Sequence, residues 1–419
     1  MAARLTNASK SVVVRTARRA LIEWARGRGA LRRRGGDRPK VYFLLMHAWG
    51  MGGTIRTVLN TASHLAQHHD VEVLGMIRTR DKPFFDFPDK VPVTPIVDER
   101  AKASRGPLRR FFERFPTLLF PHADPSVRVI NLWTDIQLAR VLRTRRAGVL
   151  IGTRPGLNLL AARVAGPGLA KVGQEHMHLS NHPRKLQRAM RRGYPRLDAL
   201  AVLTESDLRE YGELLGDGAR VEQIPNAVTK LDGGVSDLSA KTVIAAGRLK
   251  RQKDFFRLVR AFAQVADRHP DWQLKICGDG PHRERLEKLI ADLGLARNVM
   301  LAGPVRNIGE ELAGASIYAL SSRREGFPMV LLEAMSKGLP VVSFDCPTGP
   351  REIVRNGENG FLVPHQDVDA LAAGMNRLIE DDDLRRRCGA GALATAERYS
   401  IEVIGARWEE LLASLARAG

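Results

Sequence analysis

Short apolar runs alternate with longer segments of helical spacing along most of this chain. The short runs are typical of strands buried on both faces, and the longer segments are typical of helices that cover a sheet. In the first half, strands are predicted at 41–46, 70–77, 148–153, 169–176 and 197–204, and helices at 53–65, 135–146, 157–164 and 205–215. In the second half, strands are predicted at 242–246, 272–277, 299–302, 317–320 and 341–344, and helices at 255–266 and 283–293. This alternation predicts an α/β fold with two Rossmann-like, doubly wound parallel-sheet domains.

A composition break separates the two series. Residues 227–240 follow Pro225-Asn226 and contain Gly-Gly, Asp, Ser and Thr with little apolar material, which predicts an interdomain linker. The predicted organisation is a basic arm at 1–40, a first domain at 41–226, a linker at 227–240, a second domain at 241–395 and a C-terminal helix at 396–419 that crosses back to the first domain. In open parallel sheets, ligands bind at the carboxyl ends of the strands, so a cleft between two facing domains is the expected site.

Composition narrows the class of protein. The chain has 419 residues, of which 44% are hydrophobic and 27% are charged, as in soluble globular enzymes. No apolar run approaches the roughly 18 residues of a membrane span, and the apolar run at 12–14 is too short for a secretory signal. Cys277, Cys346 and Cys388 lack metal-ligand spacing and indicate a reducing, cytoplasmic setting. We therefore expect no metal site.

The net charge of +20 is concentrated near the N-terminus. Residues 1–40 carry twelve Lys and Arg against Glu23 and Asp37. On a helix, one apolar face would contain Val13, Ala17, Ala20, Leu21 and Trp24, and the remaining surface would contain Arg15, Arg18, Arg19 and Arg26. Such a basic amphipathic helix is typical of proteins that bind anionic lipid surfaces. A disordered solubilising tail and a nucleic-acid-binding arm are the alternatives, but no nucleic-acid-binding motif supports the latter.

A second basic and aromatic stretch lies at 105–120. It contains Arg109, Arg110, Phe111, Phe112 and Phe115. This stretch would share a membrane contact with the arm, or it is an ordinary helix with one apolar face. The same cations are also suited to a polyanionic acceptor.

Two glutamates flank a predicted loop and helix start near the C-terminal end. Glu325 lies in the loop that follows the strand at 317–320, and Glu333 lies on the next helix, which we predict to start at Pro328 and stop near Gly338. Free N–H groups at a helix start bind anions. The segment therefore predicts a phosphate-sized site with an acid on each side, as a nucleotide sugar needs. The alternative is two unrelated acids that are solvated or ion-paired.

Other strand ends carry candidate residues. Gly52 and Gly53 end the loop after the first strand, where glycine lets backbone approach a diphosphate, although the Gly-x-Gly-x-x-Gly spacing of nicotinamide-binding proteins is absent. Arg248 and Lys253 follow the first strand of the second domain and are suited to phosphate oxygens. His176 follows another strand in the segment Gly-Gln-Glu-His-Met-His. A tight turn, surface charge and a structural histidine are the respective alternatives, and His178 is a weaker candidate.

Together these segments resemble glycosyltransferase family 4, whose members are retaining enzymes of the two-domain GT-B fold. The likeness covers about residues 40–415 and is strongest between 240 and 365. It implies that Arg248 and Lys253 bind the donor diphosphate, that Glu325 contacts sugar hydroxyls and that Glu333 holds the ribose. It further implies roles for the residues that line the phosphate and sugar, namely Gly52, Gly53, Gly326, Phe327, Pro328 and Met329, and for His176 in a catalytic Glu-His element. The segments 343–350 and 173–176 are similar to those of enzymes that glycosylate teichoic-acid-type poly(polyol phosphate).

The resemblance implies transfer of a hexosyl unit from a nucleotide diphosphate sugar, with uridine diphosphate as the expected nucleotide. His176, Glu325, Arg248 and Lys253 would be catalytic, the leaving phosphate would take the acceptor's proton, and no cofactor or metal would be required. The acceptor would be a poly(polyol phosphate), a polysaccharide or a lipid-linked glycan, bound by the first domain at the inner face of the cell membrane. An epimerase of similar fold and a non-catalytic basic membrane or nucleic-acid adaptor are the alternatives.

Overall fold

The structure, a computed structural model, describes residues 7–27, 38–100 and 105–417. Parts of the basic arm, at 1–6 and 28–37, and the last two residues of the C-terminal helix prediction lie outside the described residues. The chain divides into two compact units. Unit 1 comprises Met1–Ile224 and Gly405–Gly419, and unit 2 comprises Pro225–Ile404.

Unit 1 is built on a parallel sheet. Within the described residues the sheet has seven strands, in the order β3-β2-β1-β4-β5-β6-β7. Its strands are β1 (Lys40–Leu45), β2 (Asp70–Arg78), β3 (Val93–Asp98), β4 (Gly148–Gly152), β5 (Leu169–Gln174), β6 (Ala199–Val202) and β7 (Val221–Gln223). Its helices are α1 (Asn7–Arg26), α2 (Gly53–Leu65), α3 (Pro107–Glu113), α4 (Leu132–Thr144), α5 (Pro155–Val164), α6 (Arg184–Gly193) and α7 (Glu205–Leu215).

Unit 2 repeats this winding. Its described residues form a six-stranded parallel sheet in the order β10-β9-β8-β11-β12-β13. Its strands are β8 (Thr242–Ala246), β9 (Gln273–Cys277), β10 (Val299–Gly303), β11 (Ile317–Leu320), β12 (Val341–Phe344) and β13 (Gly360–Val363). Its helices are α8 (Phe255–Arg268), α9 (Arg283–Asp292), α10 (Ile308–Ala313), α11 (Met329–Met335), α12 (Pro350–Ile353), α13 (Val368–Glu380) and α14 (Asp382–Arg398). The predicted α/β class with two Rossmann-like parallel sheets is confirmed.

Each sheet is covered by apolar helix faces because its central strands are buried on both sides. In unit 2, β8, β11 and β12 pack with Phe262 and Met375 of the flanking helices, and both side chains have no exposed surface. In unit 1, Leu44 of β1 and Leu150 of β4 pack with Leu138 of α4 in the same way. This burial fixes the strands and so places the loops at their carboxyl ends.

The last helix, α15 (Ile401–Arg417), begins in unit 2 and ends in unit 1. Within unit 1 it buries Trp408, Leu411 and Leu412, and Glu409 Oε2 lies 2.5 Å from His69 Nε2.

Residues 227–240, which the sequence predicts as an interdomain linker, belong to unit 2 and form hydrogen bonds with it. Ser236 Oγ donates to the Ala315 carbonyl at 2.5 Å, and the ammonium of Lys337, itself buried, donates to the Leu231 carbonyl at 2.9 Å. The segment is thus tied to the rest of unit 2, and the two compact units divide in sequence at Ile224–Pro225.

Helix α1 is present in the basic arm, but its buried face differs from the predicted one. Ala25 is buried, and Leu21 and Ile22 pack against the core of unit 1. Val13 is 55% exposed and Trp24 is 36% exposed, although both belong to the predicted apolar face. Leu21, Ile22 and Ala25 form a neighbouring strip, and that strip contacts α4 and α5.

Arginines help to hold α1 in this orientation. Arg18 donates to the Leu118 carbonyl at 2.6 Å, and Arg26 donates to the Arg163 carbonyl at 2.9 Å. None of the helices in the described part of the chain is both long and apolar enough to cross a bilayer.

Candidate functional site

Backbone hydrogen bonds join the loops at the carboxyl ends of the unit 2 strands. The loop after β8 is tied to the loop after β9, where the Leu249 N–H donates to the Asp279 carbonyl at 3.0 Å. The Arg323 N–H, in the loop after β11, donates to the Gln252 carbonyl at 2.8 Å. The parallel sheet thus brings residues distant in sequence to one edge, as the strand-end rule predicts.

Glycine is required where two of these loops meet. Gly278 has φ +138°, and a Cβ there would lie 2.0 Å from the Gly247 carbonyl oxygen. Any larger residue would separate the loops after β8 and β9. Gly278 lies in the segment Cys-Gly-Asp-Gly-Pro at 277–281, and this close approach is a structural reason for a glycine at that position.

Glu325 is paired with Lys253 in this cluster. The Lys253 ammonium donates to Glu325 Oε1 at 2.7 Å, and the Ser322 hydroxyl donates to the same oxygen at 2.5 Å. Glu325 is 8% exposed, so the adjacent cation offsets the cost of burying its charge. Both bonds go to Oε1, which orients the carboxylate and directs its interactions with any further donor to Oε2.

The two predicted phosphate-binding cations lie in different environments. Lys253 is partly buried, and its carbonyl accepts a hydrogen bond from Ser321 Oγ at 2.8 Å. Arg248 is exposed, and among the described residues its guanidinium has no hydrogen-bonding or ion-pairing partner. Arg248 therefore has all five donors available for an anion.

Glu333 is buried on α11, and its charge acts on the hydroxyl of Tyr318. Tyr318 lies on β11 and reaches β8, because the Ala246 N–H donates to its hydroxyl at 3.2 Å. Burial raises the pKa of Tyr318, and the charges of Glu333 and then Glu325 raise it further. Both carboxylates of the predicted pair therefore act on one phenol at the sheet edge.

The start of α11 differs by one residue from the prediction. Pro328 caps the helix, and Met329 is its first residue, because Pro328 has ψ 82° rather than a helical value. Phe327 and Pro328 are buried, whereas Gly326 and Met329 are partly exposed. These four residues stay together at one loop, as predicted.

The loop after β12 packs against this helix start. Gly349 has φ +85°, and a Cβ there would lie 2.6 Å from Pro328 Cδ and 2.8 Å from the Gly326 carbonyl oxygen. The Thr348 N–H donates to the Glu325 carbonyl at 3.1 Å. Gly349 and Thr348 thus hold the loop that carries Glu325.

In unit 1, His176 follows β5 directly and has an unusual environment. It is partly buried, both of its ring nitrogens are shielded from solvent, and neither nitrogen has a hydrogen-bond partner among the described residues. Burial lowers the pKa of His176 to about 4, so the imidazole is neutral near pH 7. Buried polar groups are usually paired, so an unpaired imidazole at a strand end is suited to a ligand hydroxyl.

A buried network anchors the residue before it. Glu175 Oε1 accepts hydrogen bonds from Asn158 Nδ2, at 2.8 Å, and from the Tyr194 hydroxyl. His182 Nε2 lies 3.6 Å from the second oxygen, Oε2. Glu175 therefore fixes the backbone from which His176 projects.

His178 has a structural role. Its Nδ1 lies 2.7 Å from Asp207 Oδ1 and its Nε2 lies 2.8 Å from Glu210 Oε1. The hydrogen bond to Asp207, followed by the negative charges nearby, raises the pKa of His178. Both ring nitrogens are occupied by α7, which leaves His176 as the candidate in this segment.

Gly52 and Gly53 lie at the start of α2, also in unit 1. Gly52 precedes the helix with extended backbone at φ 164°, and a Cβ on either glycine would meet no atom within 4 Å. Neither packing nor a left-handed conformation requires glycine here. The open space above these backbone atoms is compatible with the predicted approach of a diphosphate.

Sequence reasoning missed the residues that support this site. Ser322 and Tyr318 carried no chemical motif, since a serine and a strand tyrosine occur everywhere, and the signal for Ser322 was its proximity in sequence to Glu325. Thr348 and Gly349 belong to the segment 343–350, whose resemblance to other enzymes gave neither residue a role of its own. In the described part of the chain, no group of three His, Cys, Asp or Glu side chains is placed to hold a metal ion.

Comparisons with known protein families also divide the chain into two parts. Residues 51–230 match the family model described as Glycosyltransferase Family 4, and residues 233–394 match the model described as Glycosyl transferases group 1. The second match covers all the strands of the unit 2 sheet, the first covers the unit 1 strands from β2 onward, and α1 and β1 lie outside both.

Two curated relatives and one solved structure illustrate the likeness. The chain is 39% identical to an exopolysaccharide phosphotransferase of Streptomyces coelicolor, over 90% of this chain and 41% of that protein. It is 30% identical to a poly(glycerol-phosphate) alpha-glucosyltransferase of Bacillus subtilis, over 49% of this chain and 31% of that protein. The chain thus spans less than half the length of either relative.

The solved structure is a mutant of TarM from S. aureus in complex with Fondaparinux, alpha-GlcNAc-glycerol and UDP. It matches with a TM-score of 0.70 and 14% identity, over 89% of this chain and 99% of that chain. At this identity the likeness concerns the fold.

Proposed function

The chain belongs to the glycosyltransferases of the GT-B fold, and we propose that it transfers a hexosyl unit from a uridine diphosphate sugar to a cell-envelope polymer with retention of anomeric configuration. One arrangement supports this reaction above all. At a single sheet edge of unit 2, a buried carboxylate is oriented by Lys253, while Arg248 has no partner among the described residues. A sugar hydroxyl and a diphosphate need these two kinds of group side by side.

Charge develops on the leaving diphosphate as the glycosidic bond breaks. Arg248 and Lys253 stabilise that charge, and preorganised donors of this kind contribute roughly 3–4 kcal/mol each to a transition state. Glu333 binds the ribose hydroxyls, and backbone near Gly326 and Met329 lies along the phosphate and sugar. In unit 1, the backbone at Gly52 and Gly53 approaches the diphosphate.

Retention follows when the acceptor hydroxyl attacks from the face that the diphosphate leaves. The acceptor oxygen forms the new bond to the anomeric carbon, the bond to the phosphate oxygen breaks, and the leaving phosphate takes the acceptor proton. Glu325 is not the nucleophile in this scheme, because its Oε1 is held by Lys253 and Ser322. Its remaining oxygen accepts a hydrogen bond from a sugar hydroxyl.

His176 acts as a neutral hydrogen-bonding group. With a pKa of about 4, its imidazole does not contribute a positive charge near neutral pH. It binds a donor-sugar hydroxyl through one nitrogen and supports partial charge at the reacting carbon.

The proposed acceptor is a cell-envelope polymer. A poly(glycerol-phosphate) acceptor is suggested by the name of the Bacillus relative, and a polysaccharide or lipid-linked glycan is compatible with the same chemistry. We place the reaction at the cytoplasmic face of the membrane, where nucleotide sugars and membrane-linked acceptors meet.

The test is a product assay on the purified full chain. The chain is incubated with uridine diphosphate hexoses and soluble poly(glycerol phosphate), and nucleotide products are separated by ion-exchange chromatography. We expect uridine diphosphate and an α-linked hexose on the polymer, with the anomeric configuration read by NMR. An inverted linkage, or a free epimerised nucleotide sugar, would contradict the proposal.

A matched pair of variants tests the site. Loss of a charged hydrogen bond to ribose in Glu333→Gln should weaken donor binding roughly 10- to 100-fold. Glu402→Gln, an exposed glutamate on α15, is the control and should leave donor binding unchanged. Equal behaviour of the two variants would remove Glu333 from the donor site and would favour a non-catalytic adaptor.

The name of the Streptomyces relative raises a second candidate, transfer of hexose 1-phosphate. The same assay separates the two reactions, because glycosyl transfer releases uridine diphosphate whereas hexose-phosphate transfer breaks the diphosphate and releases uridine monophosphate. We expect the diphosphate, since Arg248 and Lys253 are placed to bind an intact leaving group.

A further inference from the structure

We propose that unit 1 carries a binding site for the phosphate groups of anionic membrane lipids, formed by arginines of α1, α5 and the turn at Arg196. This site is separate from the glycosyl-transfer residues and does not depend on the proposed reaction.

A cavity of about 410 Å³ lies between α1 and the body of unit 1. Its lining includes one acid, Glu23, and six arginines, namely Arg15, Arg18, Arg19, Arg26, Arg163 and Arg196. Guanidinium groups bind phosphate oxygens with two parallel hydrogen bonds, so such a lining is suited to phosphate.

Five of the six cavity arginines are not neutralised by carboxylates of the described residues. Arg18, Arg26 and Arg163 donate to backbone carbonyls, which carry no full charge. No ion pair among the described residues includes Arg18, Arg19, Arg26, Arg163 or Arg196. Like charges at this density repel one another, and a bound anion removes that repulsion.

The protonation energetics of Arg163 point the same way. Burial lowers the pKa of its guanidinium, and the neighbouring positive charges of Arg18 and Arg196 lower it further, against a smaller opposing effect of Asp135. The buried carboxylate of Asp135 is already used by the N–H groups of Leu118 and Leu119. The positive charge of the cavity around Arg163 is therefore not balanced by Asp135, and a bound anion would balance it.

Apolar surface beside these cations favours a lipid over a soluble polymer. Val12, Val13 and Val14 of α1 are each at least 50% exposed. A second cavity of about 240 Å³ shares Arg163 and Arg196 with the first and is otherwise lined largely by apolar residues. A poly(polyol phosphate) has no apolar part to place on such surface, whereas a lipid has both phosphate and hydrocarbon.

Helix α3 adds exposed apolar residues to the same unit. Leu108 is 63% exposed, Phe111 is 52% exposed and Phe115, just after the helix, is 43% exposed. Arg109 of this helix is already paired with Glu99 and Glu113. The stretch therefore offers apolar contact, and the cavity arginines offer the charge.

The test uses vesicle co-sedimentation of the full chain. Vesicles of phosphatidylcholine alone are compared with vesicles of phosphatidylcholine and phosphatidylglycerol. We expect binding to the anionic vesicles only, and a binding constant about 25-fold weaker in the double variant Arg19→Gln/Arg196→Gln, since each charge near the surface contributes about fivefold. Both arginines are exposed, so the fold should survive.

Matched control variants distinguish binding at the arginine cavity from attraction by the net charge of the protein. Arg260→Gln/Arg297→Gln removes the same charge from exposed positions of unit 2 and should bind nearly as wild type. Val13→Asn should weaken binding, whereas Val235→Asn, at a valine that is 58% exposed in unit 2, should not.

Two outcomes would overturn the inference. One is equal loss of binding in the two arginine double variants, which would indicate attraction by net charge alone. The other is retention of soluble poly(glycerol phosphate), sensitive to Arg19→Gln/Arg196→Gln, by a chain that does not bind anionic vesicles; this would assign the site to the polymer.

Discussion

The two units place their first loops at the same position of the same winding, yet those loops are built differently. After β8, the loop is in close backbone contact with its neighbours, and Gly278 leaves no room for a side chain against Gly247. After β1, Gly52 and Gly53 face open space. The polar side chains differ as well, because Lys253 and Glu325 are paired in unit 2 whereas the imidazole of His176 in unit 1 lacks a partner among the described residues.

The two units therefore differ in how far contacts within the unit already hold the polar groups at the strand ends. In unit 2, Lys253 and Ser322 already hold the Glu325 carboxylate, so little reorganisation of that carboxylate would accompany the proposed binding. In unit 1, His176 and the open glycine loop have binding capacity that the unit itself does not use. A glycine in one loop is therefore a packing requirement, and in the other it is a candidate for function.

The largest expected effect tests the glycines. Gly278→Ala should lower the free energy of unfolding by about 3 kcal/mol or more, because its Cβ would overlap a backbone oxygen and its φ is positive. Gly53→Ala should leave stability unchanged or slightly raised, since alanine is favoured in helices. Urea unfolding of both variants measures this, and equal destabilisation would refute the contrast between the loops.

The next largest expected effect compares Lys253, which is paired with Glu325, with Arg248, which has no partner among the described residues. Lys253→Ala leaves the carboxylate of Glu325 buried without its cation and should lower the free energy of unfolding by about 2 kcal/mol as well as weaken donor binding. Arg248→Ala should weaken donor binding alone. Thermal unfolding and calorimetric titration with uridine diphosphate distinguish these, with exposed Lys250→Ala as the control.

A pH series tests His176 and His178, two of the histidines of unit 1. Because the pKa of His176 is lowered to about 4, unfolded chains bind a proton below pH 6.5 that folded chains do not. This group should therefore lower the free energy of unfolding by up to about 1.4 kcal/mol per pH unit as pH falls from about 6.5 to 4.

The decrease in the free energy of unfolding per pH unit should be smaller in His176→Gln than in the wild type. His178 has a raised pKa, so its stabilisation is present below about pH 6.5 and is lost as pH rises. His178→Gln should accordingly change the pH dependence in the opposite sense. Denaturant unfolding at successive pH values measures both, and parallel changes in the two variants would show that the buried imidazole is not neutral.

The smallest expected effect is that of Ser322→Ala, which should change both stability and donor binding, whereas its control should change stability alone. Ser322→Ala removes the hydroxyl that donates to Glu325 and should cost about 1 kcal/mol of stability together with some affinity for the donor sugar. Thr153→Val removes a buried hydroxyl that donates to the Leu44 carbonyl in unit 1 at 2.6 Å, and should cost stability only. Competition binding and urea unfolding of this pair test whether Ser322 acts through Glu325.

Periodicity predicted the sheets well because central parallel strands are apolar on both faces. The strands at 242–246, 317–320 and 341–344 and the helix at 53–65 have the predicted bounds. Strand ends also predicted which residues gather in unit 2. Edge strands such as β3, β7 and β13 were missed, since their patterns are short or partly exposed.

Contacts that depend on tertiary packing were beyond the sequence. The apolar residues of α1 form a broad band, and only its contact with α4 and α5 determines which strip is buried. The composition of 227–240 predicted a linker, and it did not reveal that Ser236 donates to the Ala315 carbonyl or that the Leu231 carbonyl accepts from Lys337. His176 could be chosen as a candidate, but its unpaired nitrogens follow from burial that no local pattern reveals.

The division of α15 between the units has a consequence for synthesis on the ribosome. Unit 2 is one continuous segment, so it can fold as soon as residue 404 has left the exit tunnel. Unit 1 is begun earlier, but it lacks the buried side chains of Trp408, Leu411 and Leu412 until after that point. The unit that is translated first is therefore completed last. Until then, the apolar surface that Trp408, Leu411 and Leu412 cover is exposed on the nascent chain, where chaperones would bind it.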